Sequence, residues 1–373
     1  MPGCVTNNGP LVGQIRGQGS GRGCVFGIVG GMAKNLNLHN AKRAKKDEFY
    51  TQWEDVEREM TAYLDYNPDV FKGKTILLPC DDPGCSNFTK FFMSRFQEYG
   101  VKKLISTSYA VDGGRGKILI FDGEGDGEGY GEWDYLQGDG DFRSDEVTAL
   151  RDEADMVITN PPFSVFREFM VWLVEGGVEF SVIGNMNAIK YKAVFPLIKG
   201  NEVWMGYGKN TGGNSMWFEA PVTYPVKKNE KITNEGSRVV PVVSKWFTNI
   251  KHGRRCEHLS LMTMDENLRT NKRIINNPNS YKSYDNYEAI EVPVTAGIPS
   301  DYEGVMGVPI SFLNKHNPDQ FEILGCTFNF GRPEGWPEDV KMSPFLDGKE
   351  IYTRLLIRHK RRCVDGVVGN TRV

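Results

Sequence analysis

The sequence predicts an α/β protein: a doubly wound sheet, followed by a smaller C-terminal region of mixed α/β character. Three observations carry that prediction. Residues 153–158 end in a short apolar run that reads as a buried strand. They lead through the loop Asn160-Pro161-Pro162-Phe163 into residues 165–174, where apolar side chains recur at helical spacing, with Ser164 as the expected N-cap. Residues 74–100 repeat the same strand–loop–helix grammar, and beyond Gly206 short β-like runs alternate with Asn-, Gly- and Pro-rich loops.

A chain of 373 residues is long enough for one large α/β domain and a smaller one. Hydrophobic content of 39% and charged content of 25% are those of an ordinary globular protein. The formal net charge of −3 leaves no global basic signature, so any nucleic-acid contact must come from local patches. Seven cysteines, none paired at zinc spacing, suggest reduced thiols and no metal site. The longest apolar run near the N-terminus, residues 24–29, is too short for a membrane span.

In chain order, residues 1–41 form an expected disordered, Gly-rich tail. Its Gly17-Gln18-Gly19-Ser20-Gly21 lacks a preceding strand and a following helix, so it is not a dinucleotide loop. Phe49, Trp53, Val56, Met60 and Tyr63 then fall on one helix face. Residues 74–80 read as the first buried strand, Asp81-Asp82-Pro83-Gly84-Cys85 as its loop, and Ser86 as the cap of an aromatic-lined helix ended by Gly100. Residues 101–109 are a second strand. Residues 117–121 and 133–136 read as a hairpin around an acidic loop whose spacing does not fit an EF-hand. Gly176-Gly177 end the helix after the Asn160 loop, residues 178–184 give the next strand, and helix 190–199 with strand 202–205 completes the sheet. The expected division is therefore a tail over 1–41, a catalytic domain over 42–206 and a recognition region over 207–373.

The chemistry of the Asn160 loop follows from its residue types. An exocyclic amino group is a poor nucleophile because its lone pair is delocalised into the ring. Two acceptors on its hydrogens, here the Asn160 side-chain oxygen and the Pro161 carbonyl, help localise that pair. Two prolines fix φ and stiffen the loop, and Phe163 offers a face for an extruded base. The bland alternative is an ordinary strand-to-helix turn. Further on, Lys251, Arg254, Arg255, Lys272 and Arg273 mix with aromatic residues, which suits phosphate contact and base readout. Each such patch also fits a solvated loop.

These residues resemble motif IV of amino-group methyltransferases. More closely, the chain resembles the EcoRI-type adenine-specific DNA methyltransferase family. The match runs through Asp47-Glu48-Phe49-Tyr50-Thr51, Cys80-Asp81-Asp82-Pro83 with Ser86-Asn87-Phe88, and the Asn160 loop. It continues through Ile183-Gly184-Asn185, Trp246-Phe247-Thr248-Asn249, Tyr284-Asp285-Asn286-Tyr287 and Gly304-Val305-Met306-Gly307-Val308-Pro309.

The resemblance implies a Rossmann-like, S-adenosylmethionine-dependent fold in a bacterial or phage-encoded cytoplasmic enzyme. It implies methylation of adenine N6 in double-stranded DNA, with a cognate restriction endonuclease as a conceivable partner. Phe49, Tyr50, Thr51, Cys80, Asp81, Asp82, Asn87, Asp141, Phe142 and Asn160 are the implied cofactor contacts; Asn160, Pro161, Pro162 and Phe163 are the implied catalytic residues. The usual glycine-rich loop is missing, and Asp81 and Asp82 also fit a helix-dipole role. Asp141 also fits a solvent-facing turn, and the ribose contact has no clear candidate. Alternatives are methylation of RNA adenine or protein glutamine, or a catalytically dead DNA-binding module. Cytosine C5 chemistry is rejected, because Cys80 lies on the cofactor strand beside two aspartates that oppose a thiolate.

Overall fold

Apolar runs form parallel strands wherever both faces of the sheet are covered. The computed structural model describes residues 50–123, 132–208, 215–220, 230–232, 238–328 and 343–360. All lie in the unit Lys42–Val373; the Gly-rich tail, Phe49 and most of the acidic loop lie outside the described residues. The chain enters through β1 (Tyr50–Thr51) and α1 (Trp53–Tyr66), then β2 (Thr75–Leu78), α2 (Asn87–Ser94), α3 (Phe96–Tyr99) and β3 (Lys103–Thr107). A hairpin of β4 (Lys117–Phe121) and β5 (Asp134–Tyr135) is next, then α4 (Asp145–Glu153), β6 (Met156–Thr159), α5 (Phe166–Gly176) and β7 (Glu179–Asn185). After these come α6 (Phe195–Lys199), β8 (Trp204–Met205), β9 (Ser215–Glu219), β10 (Lys231–Ile232) and the long β11 (Arg238–Thr248).

One large sheet runs in the order β1-β9-β11-β7-β6-β2-β3-β4-β5, with β8 and β10 also paired to β11. The middle four strands, β7-β6-β2-β3, are parallel. Alternate residues of these strands serve two cores, as the period of two requires. Ile76, Leu78 and Ile158 pack with Val56, Met60 and Tyr63 of α1 and the Phe88, Phe91 and Phe92 cluster of α2. Leu77 and Val157 pack on the other face with Phe169 and Leu173 of α5 and Phe195 of α6. Strand order reverses between β2 and β6, because β3 lies to one side of β2 and β6 to the other. In open α/β sheets ligands bind beyond the carboxyl ends of the strands at such a point.

The large sheet continues past residue 206, since β9 and β11 supply one flank of it. Beyond β11 the chain forms α7 (Met264–Thr270), α8 (Lys272–Ile275) and a second sheet. Its strands are β12 (Ala289–Glu291), β13 (Val305–Pro309), β14 (Phe321–Cys326) and β17 (Arg354–His359), in the order β12-β13-β17-β14. A small hairpin of β15 (Phe345–Leu346) and β16 (Lys349–Glu350) precedes β17. The second sheet shares a core with α5 and α6 through Met306, Phe312, Ile323 and Leu355.

Local expectations meet tertiary constraints at four places. Ser86 caps α2 as expected, accepting from the Phe88 N–H at 3.1 Å. Ser164 does not cap α5: a 3-10 turn over Phe163–Val165 intervenes, and Val165 occupies the cap. The helix expected over residues 190–199 is instead a 3-10 turn over Met186–Lys190 and the short α6, because Pro196 suits a first helical turn and not an interior. Arg354–His359, a segment with basic residues at both ends and no clear local reading, forms β17, the strand between β13 and β14.

The second sheet depends on one buried ion pair. Glu291, 2% exposed, accepts from Arg354 Nη2 at 2.7 Å and Nε at 3.0 Å, and from the Tyr284 hydroxyl at 2.5 Å. Removing one partner of such a pair leaves a buried, uncompensated charge. Glu291→Ala should therefore destabilise the protein by about 3–5 kcal/mol, read as a lower urea midpoint, while an unchanged midpoint would show that water replaces the pair without cost.

Candidate active site

The carboxyl ends of β2 and β6 meet at Asp81. Every polar atom of this residue is engaged. Its N–H donates to the Thr107 carbonyl at 2.9 Å, and its carbonyl accepts from Ser106 Oγ at 2.6 Å. Its carboxylate accepts from Ser86 Oγ at 2.7 Å and from Thr159 Oγ1 at 2.6 Å. Asp81 thus ties the loop after β2 to the end of β3, to the cap of α2 and to the last residue of β6. Burial pushes its carboxyl up to about 7, against the two hydroxyls that pull it down.

The residue after Thr159 is Asn160. Its side-chain oxygen is sealed from solvent, and Pro161 behind it is buried. Pro162 is extended (φ −56°, ψ 128°), so the chain turns out of the strand before the 3-10 turn begins at Phe163. Phe163 is half-buried and meets Phe218 of β9 edge-on, with ring centroids 6.4 Å apart. Phe218 pairs with Thr51 of β1, and the Thr51 carbonyl accepts from Asn87 Nδ2 at 2.8 Å. The catalytic-loop candidate, the entering strand and the start of α2 therefore converge, although they are far apart in sequence.

Of the expected cofactor contacts, Tyr50, Thr51, Cys80, Asp81, Asp82, Asn87 and Asn160 gather at this edge. Thr51 Oγ1 is buried without a hydrogen-bond partner among the described residues, an unmet polar group beside the α2 entrance. Asp82 is engaged: Lys117 Nζ bridges its carboxylate at 2.9 and 3.1 Å and lies over the Trp133 ring at 5.0 Å. With Asp81 committed within the fold, the orphaned Thr51 hydroxyl and the partly exposed Asp82 carboxylate are the groups at this edge that suit a ligand carrying amino or hydroxyl donors. S-adenosylmethionine has that chemistry.

Asp141 lies in a turn that packs on the end of β3. Gly140 (φ +82°) touches the Ser108 carbonyl so closely that a Cβ there would collide with it. Asp141 accepts from Arg143 Nε and Nη2 at 2.9 and 2.6 Å. Burial works to raise its pKa, but the Arg143 hydrogen bonds and charge win and hold it below the usual carboxylate range. Phe142, 5% exposed, points into the core against Phe169 and Trp172, 4.9 and 5.6 Å between centroids, instead of flanking a ligand. A residue that sequence reasoning missed stands nearby. Tyr109, just beyond β3, is 37% exposed, and burial together with the Asp139 and Asp141 charges raises its pKa. Its signal in the sequence is weak, because the usual residue at such a strand end is acidic.

The five basic candidates for nucleic acid fall in two places. Thr248 pairs with Ser181 near the start of β7, so the backbone of Lys251, Arg254 and Arg255 runs on past the end of β11. Arg254 donates to the Tyr207 carbonyl and lies over the Tyr207 ring at 3.9 Å. Arg255 covers the Trp204 ring at 4.0 Å, and burial pushes its pKa down to about 10. Lys272 and Arg273 are exposed at the start of α8.

Comparison with known proteins agrees with this arrangement. The family model described as adenine-specific methyltransferase EcoRI matches residues 37–360. The Type II methyltransferase M.EcoRI of Escherichia coli is 38% identical over 350 residues, covering 88% of this chain and 98% of that protein. The Type II methyltransferase M.MpnI of Mycoplasma pneumoniae is 34% identical, covering 88% and 99% respectively. No solved structure matches.

Asp81 makes a pH prediction. Its folded pKa of about 7 lies above its ordinary 3.8. Between those values the folded state holds the extra proton, so stability is fully present below about pH 4 and lost as pH rises to about 7. Asp81→Asn should flatten that part of the profile, and at pH 8 should recover stability of up to about 4 kcal/mol, less whatever the amide loses in hydrogen bonding. Parallel stability profiles for the two proteins between pH 4 and 8, measured by thermal melts, would place the proton elsewhere.

Proposed function

Because the chain belongs to the EcoRI-type family of adenine-specific methyltransferases, we propose that it transfers the methyl group of S-adenosylmethionine to N6 of an adenine extruded from duplex DNA. The observation that carries this reading is the Asn160 loop at the carboxyl end of β6, joined through Thr159 to the buried Asp81 of the cofactor loop. S-adenosylmethionine, when bound, supplies an electrophilic methyl group on a sulfonium. Thr51, Asn87 and Asp82 are the residues we assign to holding it, with Tyr50 and Cys80 beside them and Asp141 and Tyr109 at the adenine end.

Asn160 Oδ1 and the Pro161 carbonyl accept the hydrogens of the target amino group and draw its lone pair out of the ring. Pro161 and Pro162 keep these acceptors in place, which lowers the ordering cost at the moment of transfer. The Phe163 ring, braced edge-on by Phe218, stacks on the extruded base. Lys272 and Arg273 are the phosphate candidates we retain, since Arg254 and Arg255 are committed to aromatic partners within the fold. Residues past Thr248 are the recognition region in this reading. A cytoplasmic setting and a companion endonuclease of the same specificity belong to the same proposal. None of the described helices is long and apolar enough to cross a membrane.

Incubating the protein with labelled S-adenosylmethionine and plasmid DNA, RNA or protein extract tests the substrate directly; label on DNA, mapped to adenine, is the expected result. Asn160→Ala should lower the rate about a hundredfold or more, as removing a positioned transition-state contact does, with cofactor affinity by calorimetry unchanged. A near-normal rate would end the assignment of Asn160. Lys272→Ala with Arg273→Ala should lower the salt slope of DNA binding by about one per residue, and identical slopes would take both residues out of the interface.

A further inference from the structure

A cleft of about 270 Å³ opens between the large sheet and the second sheet. Met186 and Asn187, just beyond β7, form one wall, with Val243 of β11 on its floor. Pro309–Ser311 and Thr353–Arg354 form the other wall. Thr159 pairs with Val182, so Asn185 at the end of β7 lies three residues further along the same edge. At about 3.3 Å per residue the cleft begins about 10 Å from the catalytic loop. That is roughly three stacked base steps of one DNA strand.

The chemistry of the walls is mostly neutral. Met186, Val243, Pro309 and Ile310 give apolar lining; Asn187, Ser311 and Thr353 give hydrogen-bonding groups, and Lys190 Nζ stands 3.4 Å from Thr353 Oγ1. Among the described lining residues there is no carboxylate, and the Arg354 guanidinium is held by Glu291. Such a surface suits bases and sugars more than a row of phosphates.

Tyr352 adds a second observation. It is 87% exposed, the most exposed of the large apolar side chains among the described residues. Single exposed aromatics are common on surfaces, but this one has a fixed base. Arg354 Nη1 donates to the Tyr352 and Thr353 carbonyls, each at 3.3 Å, while Glu291 clamps the same guanidinium from the core. A buried ion pair thus fixes the backbone of an almost fully solvated ring beside a cleft on the catalytic edge.

We propose that this cleft holds the DNA strand beside the extruded adenine, with the Tyr352 ring stacking on a base face that the extrusion leaves open. The inference rests on the DNA-methylating reading given above. It gives the second sheet a task at the catalytic edge, whereas its charged residues are engaged in internal pairs.

The test uses the full-length protein and a fluorescein-labelled duplex carrying the methylation site mapped with plasmid DNA, with 2-aminopurine in place of the target adenine. Tyr352→Ala should raise the duplex dissociation constant about ten- to a hundredfold, the range of one base–aromatic stack, and should reduce the 2-aminopurine signal of extrusion. Tyr352→Phe should behave as the wild type, and S-adenosylmethionine affinity should be the same in all three proteins. Val243→Trp, which fills the cleft from its floor, should also weaken duplex binding. An Ala variant equal to the wild type in affinity and extrusion overturns the proposal, as does a Phe variant as impaired as Ala, or a filled cleft without effect. A wild-type protein that methylates no DNA removes the functional reading itself, an outcome visible before any variant is made.

Discussion

The site depends on one buried carboxylate. Asp81 is fixed at its N–H, its carbonyl and both carboxylate oxygens by groups from β3, the α2 cap and β6. An ionised carboxylate in such a place costs free energy, and the two hydroxyls offset that cost only in part, which is why its pKa is pushed up to about 7. The geometric gain is that the cofactor loop and the catalytic loop cannot move independently. Asn160 follows Thr159, so any displacement of the loop after β2 is felt directly at the residue proposed as acceptor for the target amino group. The departure from the usual glycine-rich loop then has a physical account. In place of backbone approaching a phosphate, this loop is pinned by side-chain hydrogen bonds around a buried carboxyl group.

Much of this is legible in the sequence, and the legible parts share a cause. Continuous apolar runs identify parallel strands because both faces are covered, so β2, β3, β6 and β7 stand out nearly at their true bounds. Ser86 and Gly100 are recognisable because capping is local chemistry. The Asn160 loop is recognisable because its residue types make sense only together. Edge strands of two residues are not legible: β1 exists because β9 pairs with it, and nothing in Tyr50-Thr51 alone says so.

The residues that read least well are charged ones. Basic side chains in a run look alike in sequence whether they meet phosphate or their own protein. Arg254 and Arg255 lie over Tyr207 and Trp204, and Arg354 closes an internal pair with Glu291. The partners are 47 and 63 residues away in the first and last cases, beyond any local pattern. Motif residues after the catalytic loop divide in the same way. Asn249 accepts from the Phe180 N–H at 2.6 Å and donates to the Val178 carbonyl at 3.0 Å, so it registers β11 against the start of β7. Gly307 leaves room for the Tyr284 ring. These positions are demanding for architectural reasons, and a motif match alone does not separate such reasons from chemical ones.

The pairing of β1 with β9 also bears on how the protein is made. Thr51 reaches the α2 entrance through Asn87, yet among the described strands β1 pairs with β9 alone, and β9 is anchored by β11. During synthesis the first strand of the cofactor pocket therefore waits, without its sheet partner, until Thr248 has left the ribosome. Contacts of such long sequence separation form late, because the entropy of loop closure is lost before the contacts compensate for it. A ribosome-bound chain that stops short of β11 holds the parallel strands and the catalytic loop but has an open cofactor pocket. Closure of the sheet around its own beginning is thus a late event in folding, set by the distance in sequence between β1 and β9.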